Sequence, residues 1–95
     1  MKQYNPPHPG EFIFETYLEP FGHSARFLAK AIGTDPTTVS RLLKGESGIS
    51  PAMAHKLSAA LGRTPESWMM MQTNHDLWEA AKDSPAEGIQ RLEFA

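Results

Sequence analysis

Between residues 30 and 70 every proline follows directly on a short side chain able to accept a hydrogen bond: Asp35-Pro36, Ser50-Pro51 and Thr64-Pro65. Each pair reads as a helix start. The side-chain oxygen accepts from the free amides of the first turn, and the proline takes the first helical position, where its missing N–H leaves no bond unmade. Ser24 supplies another start without the proline. Gly33, Gly45 and Gly62 close the same segments, glycine being the residue that most easily adopts the left-handed conformation ending a helix. Apolar residues recur at three- and four-residue intervals, and no segment alternates apolar and polar residues as a strand would. The chain is therefore expected to be all-α, with five helices. The first runs from about Pro9 to Pro20, with Ile13, Phe14, Tyr17 and Leu18 on its buried side. The second spans about 25–32, the third 36–44, the fourth runs from Pro51 to Gly62, and the fifth covers about 65–82. "DSPAEG" then turns the chain into a short polar tail.

Ninety-five residues suit one hydrophobic core, so the expected organisation is a single helical domain over 1–82 and a tail over 83–95. The absence of cysteine excludes disulfides and thiolate metal sites and fits a reducing cytoplasm. The start "MKQYNPPHPGE" meets polar and proline residues too early to form an apolar signal core. No later run approaches the ~20 apolar residues of a membrane span. A soluble, cytoplasmic protein is expected, with no membrane partner.

A formal net charge of −2 argues mildly against a nucleic-acid partner, because neutralising phosphates takes lysine and arginine on one face. The distribution of charge points the other way. Residues 23–63 carry Arg26, Lys30, Arg41, Lys44, Lys56 and Arg63 against Asp35 and Glu46. The acids crowd the ends, with Glu11, Glu15 and Glu19 before this window and six more after it.

Within the basic window, "IGTDPTTVSRLLKG" has the pattern of a helix that enters a DNA groove. On a wheel of 100° per residue, Val39, Leu42 and Leu43 fall on one side and Thr37, Arg41 and Lys44 on the other. Arginine can grip guanine O6 and N7 in the major groove, hydroxyls can meet bases or phosphates, and Lys44 near the helix end suits phosphate. The preceding helix must cross this one closely, which requires a small residue at the contact and a glycine in the turn. Ala29 and Gly33 provide them, Leu28, Ile32 and Leu42 fill the shared core, and the unit spans about 24–45.

The stretch from "HPGEFIFETYLEPFGHS" through "NHDLW" also resembles the HigA-type antitoxins, members of the Cro/C1-type (XRE) helix-turn-helix group with a lambda-repressor-like fold. The resemblance covers about residues 8–78. Its landmarks are His8-Pro9-Gly10-Glu11, Leu18-Glu19-Pro20, Ser24, Leu28-Ala29, Gly33, Val39-Ser40, Gly45, Ile49, Ala54, Leu57, Gly62, Trp68 and Gln72. It implies a homodimer that binds double-stranded DNA at a palindromic operator, represses its own operon and neutralises a RelE-like mRNA endonuclease toxin. Carried over position by position, the groove-facing sites fall on Pro36, Thr37, Ser40 and Arg41, and the backbone-contacting sites on Ser24, Ala25, Asp35, Thr38 and Lys44. Two positions depart from the group. Ala25 stands where glutamine is common, and Pro36 has no polar group to offer a base, which narrows base reading to Thr37, Ser40 and Arg41. Thr34 replaces a usual valine, and its hydroxyl needs a partner if buried.

The fifth helix carries "SWMMMQTNHDLW", and three adjacent methionines cannot all face one core. Trp68, Met69, Met70, Met71, Leu77 and Trp78 are the candidate dimer interface, because methionine adapts to irregular contacts and aromatics anchor interfaces. The competing reading has Trp68 and one methionine cap the domain core, with the rest loose on the surface. Two copies would read half-sites about 34 Å apart.

His8, His23, His55 and His75 show no helical ligand spacing, so no metal or other cofactor is expected. Glu11 and Glu15 read as a solvated face. No nucleophile elbow or glycine-rich phosphate loop is present, and an enzyme is not expected. The acidic ends suit attraction of a basic toxin, leaving the central basic face to DNA. Two alternatives stay open: a stand-alone XRE-type regulator, and an interaction module that keeps the fold without binding DNA.

Overall fold

The computed structural model describes residues 5–94, and among these the regular structure is entirely helical. Helix α1 (Pro9–Ile13) continues through a π-helical turn (Phe14–Leu18) and a 3-10 turn (Glu19–Phe21). Helices α2 (Ala25–Ile32), α3 (Pro36–Leu43), α4 (Pro51–Leu61) and α5 (Pro65–Ala81) follow.

The expected caps form at every start. Ser24 Oγ accepts from Phe27 N at 3.1 Å, and Asp35 Oδ2 from Thr37 N at 2.9 Å and Thr38 N at 3.3 Å. Ser50 Oγ accepts from Met53 N at 3.2 Å, and Thr64 Oγ1 from Ser67 N at 3.0 Å. Each such cap is worth about 0.5–2 kcal/mol relative to alanine. At the other end of α2, Gly33 takes the left-handed conformation (φ 64°) while Thr34 N donates back to Ala29 O at 2.9 Å. That turns the chain sharply into α3.

The first helix differs from expectation. Ile13 and Leu18 are buried, but Phe14 is 41% exposed and Tyr17 only partly buried. The cause is the π turn, in which Glu19 N donates to Phe14 O, five residues back. The widened turn puts Ile13 and Leu18 on one side and rotates Phe14 out of the stripe a 3.6-residue wheel assigns it. Pro20, which has no amide to extend an α-helix, follows within the 3-10 turn.

The core gathers Ile13 and Leu18 from the first helical segment, Leu28, Ala29 and Ile32 from α2, and Val39 and Leu42 from α3. Ile49, then Met53, Ala54 and Leu57 of α4, and Trp68 of α5 complete it. Helix α2 packs on α3, α4 on α5, and α1 against both α3 and α5. Among the described residues Gln72 is the buried polar side chain, and its bonds explain it. Its Oε1 accepts from Ile49 N at 2.8 Å, and its Nε2 donates to Asp76 Oδ1 at 2.9 Å.

Trp68, expected among the interface residues, belongs to the core. It is fully buried, its indole Nε1 donates to Gly62 O at 2.9 Å, and its ring lies 6.1 Å from that of Phe12 and 6.2 Å from that of Tyr17. It has no surface left for a second subunit. Beyond α5 the tail carries no helix, and residues 79–94 are all exposed. Among the described residues no helix is long and apolar enough to cross a membrane.

Candidate nucleic-acid interface

Helix α3 is fixed from behind and open in front. Val39 and Leu42 are buried, Leu43 is half-buried at the core's edge, and Thr37, Thr38, Arg41 and Lys44 are exposed. Pro36 and Ser40 are half-buried at the flanks of that face. Ala29, almost without exposed surface, provides the close crossing of α2 over α3. The alternation follows from the helix period, since residues 37, 41 and 44 lie about a turn apart while 39 and 42 point the other way.

The start of α2 meets this face. Ala25 shares one shallow groove with Ser40, Leu43 and Lys44 of α3 and with Glu11 and Phe14 of the first helix. Ser24, just before it, is exposed. The candidate sites on two helices are thus adjacent, as a groove-bound helix with a neighbour beside the DNA backbone requires. Ser24 and Asp35 each use a side-chain oxygen to cap a helix. The Asp35 carboxylate already accepts two amides, and its charge would repel a phosphate.

Three features of the site are not apparent from the sequence pattern. Arg41 Nε lies 3.9 Å from Glu46 Oε1, both side chains more than half exposed, a pairing typically worth under about 1 kcal/mol. It is loose enough to exchange for a nucleic-acid partner. Lys56 Nζ donates to Thr34 Oγ1 at 3.0 Å, tying α4 to the turn of the motif and giving the Thr34 hydroxyl its partner. Phe14 borders Ser40 and Lys44. The only signal for these contacts along the chain is opposite charge at positions 41 and 46; the other two are tertiary.

The four histidines do not gather, although the fold brings His8 and His75 to 5.0 Å between ring centroids. Among the described residues no group of three or more metal-ligating side chains forms.

A helix-turn-helix family profile matches residues 15–68, more than half of the chain and all of the α2–turn–α3 unit. The chain belongs to this helix-turn-helix family. It is 39% identical over 97% of its length to the uncharacterized HTH-type transcriptional regulator YddM of Escherichia coli, covering 97% of that protein. It is 44% identical over 74% of its length to antitoxin HigA-1 of Vibrio cholerae, covering 66% of that protein. Among solved structures, antitoxin GraA superposes with a TM-score of 0.87 at 39% identity, with 95% of this chain and 100% of that chain covered. GraA in complex with its operator superposes with a TM-score of 0.83 at 37% identity, over 99% and 98%. The helix-turn-helix chain falls among the HigA-type antitoxins, and its family is one of DNA-binding regulators rather than enzymes.

Proposed function

We propose that this HigA-type chain binds an operator as a homodimer, neutralises a RelE-like mRNA endonuclease and represses the operon that encodes both. The observation that carries the DNA half is α3 itself. Val39 and Leu42 are buried at the core while Thr37, Thr38, Arg41 and Lys44 stand exposed together, and the related GraA is known in complex with its operator. Thr37, Ser40 and Arg41 read bases; Ser24, Thr38 and Lys44 fix the helix on the backbone, and Pro36 contributes shape alone.

Dimerisation falls to α5. Met70 and Leu77, seven residues apart and so on one stripe, are 59% and 65% exposed, with Met69, Met71 and Trp78 half-buried beside them. The toxin partner is supported by the likeness to proteins named as antitoxins. The exposed acids Glu11, Glu15 and Glu19 suit a basic toxin. Expression of the protein encoded by the neighbouring reading frame, with and without this chain, tests the toxin half. Growth arrest relieved by co-expression is the expected result, and arrest that persists with the two proteins failing to co-purify contradicts it.

A further inference from the structure

Among the described residues the three most exposed large apolar side chains are all in the tail: Phe94 at 87%, Ile89 at 74% and Leu92 at 71%. Three apolar residues in six solvent-exposed positions carry a hydration cost that burial would remove. Their own subunit offers no cover. The tail leaves α5 at Ala81, and the molecule measures 55 Å along one axis against 27 and 23 Å along the others. The radius of gyration is 16.4 Å, where a compact chain of this length has about 12 Å.

A hollow of about 350 Å³ lies beside the other half of α5, lined by Pro6, Pro7, Phe12, Arg63, Met70 and Met71 among others. It sits some ten residues, about 15 Å of helix, before the point where the tail departs. Pro6, Pro7, Phe12 and the two methionines in its walls suit an inserted aliphatic or aromatic side chain, beside the polar Ser67 and Asn74. In its lining the Arg63 guanidinium lies 5.3 Å from the centre of the Phe12 ring and its Nε donates to Ser67 Oγ at 3.1 Å, and no ion pair among the described residues includes it. Met70 belongs both to this hollow and to the proposed dimer stripe, so the hollow is continuous with that interface.

We infer that the tail is exchanged between two copies of this chain, Leu92 and Phe94 of one filling the hollow of the other, with Glu93 paired to Arg63 at its mouth. In an extended segment alternate side chains face the same way, so Leu92 and Phe94 enter together and Glu93 is left at the rim. The inference rests on the dimer reading above and adds an arm to it.

Sedimentation equilibrium of the 95-residue chain tests both, with circular dichroism reporting the fold. Leu92→Ser with Phe94→Ser should weaken the dimer tenfold or more and leave helicity unchanged. Arg63→Glu and Glu93→Arg should each weaken the homodimer. Mixing those two single variants should give a heterodimer tighter than either homodimer, because only an arm that crosses between copies then pairs opposite charges at both mouths. A wild-type dimer that the tail double variant leaves intact overturns the exchange while the dimer stands. A mixture no tighter than its components also overturns it. A wild type that stays monomeric overturns the dimer reading and the exchange with it.

Discussion

Gly10 lies directly against the backbone at the end of α3: a Cβ built on it would stand 2.7 Å from the carbonyl carbon of Leu42 and 2.9 Å from the Cα of Leu43. The start of α1 is thereby pressed onto the C-terminal turn of α3, and the contact leaves room for hydrogen alone. Because the obstruction is backbone rather than a flexible side chain, Gly10→Ala must push the two helices apart. A loss of about 1–3 kcal/mol in urea unfolding is expected, the usual range for overpacking, together with weaker operator binding. Unchanged values for both would show that the contact does not hold α3.

His8 secures the same junction. Its Nδ1 accepts from Gly10 N at 2.9 Å, capping α1, and its ring meets His75 edge to face. Burial, and after it the charge of His75, lower the His8 pKa from the ordinary 6.5. Asp76, a backbone hydrogen bond with Ser47, and Glu11 oppose that shift. A histidine lowered on folding binds fewer protons in the folded state, so its contribution is complete above about pH 6.5 and is lost as pH falls toward the depressed value. Unfolding free energy should therefore fall from pH 7.5 to pH 5.5. His8→Asn, which caps without titrating, should flatten the slope. An equal slope in wild type and variant contradicts this role.

Trp68 should behave as a core residue. Trp68→Ala removes the indole from its place against Phe12 and Tyr17 and leaves Gly62 O without its donor. A destabilisation of about 3–5 kcal/mol is expected by chemical denaturation, as for other buried large aromatics. A variant of unchanged stability that merely dissociates into monomers would return Trp68 to the subunit interface.

The boundaries of α2 to α5 were legible because they are written locally. Asp35, Ser50 and Thr64 each bond to amides two or three residues away, and no tertiary contact is needed to define them. The exposed face of α3 was legible for a similar reason, since the 3.6-residue period alone separates Val39 and Leu42 from Arg41 and Lys44. Phe14 was misplaced because one i to i+5 hydrogen bond shifts the register, and no wheel with a fixed period contains that shift. Trp68 was misassigned because α5 carries apolar residues on more than one side. Which side faces home depends on Phe12 and Tyr17, more than fifty residues earlier in the chain. The His8–His75 contact was invisible for the same reason.

The exposed residues of α3 should divide by role. Arg41 is expected to read a base and Lys44 to meet phosphate, so their alanine variants should fail in different ways. Arg41→Ala should lose about 1–3 kcal/mol on the specific site with a smaller effect on random DNA. Lys44→Ala should weaken binding to every sequence and make its salt dependence shallower by about one unit of slope.

The most direct test is fluorescence anisotropy of wild type, Arg41→Ala and Lys44→Ala on the DNA upstream of the chain's own reading frame and on scrambled DNA, titrated across salt. Tight wild-type binding to the upstream fragment, discrimination lost with Arg41, and salt slope reduced with Lys44 are the outcomes the geometry of α3 demands. Failure of the wild type to retain any duplex at low salt, or binding indifferent to both substitutions, would contradict a DNA-reading helix.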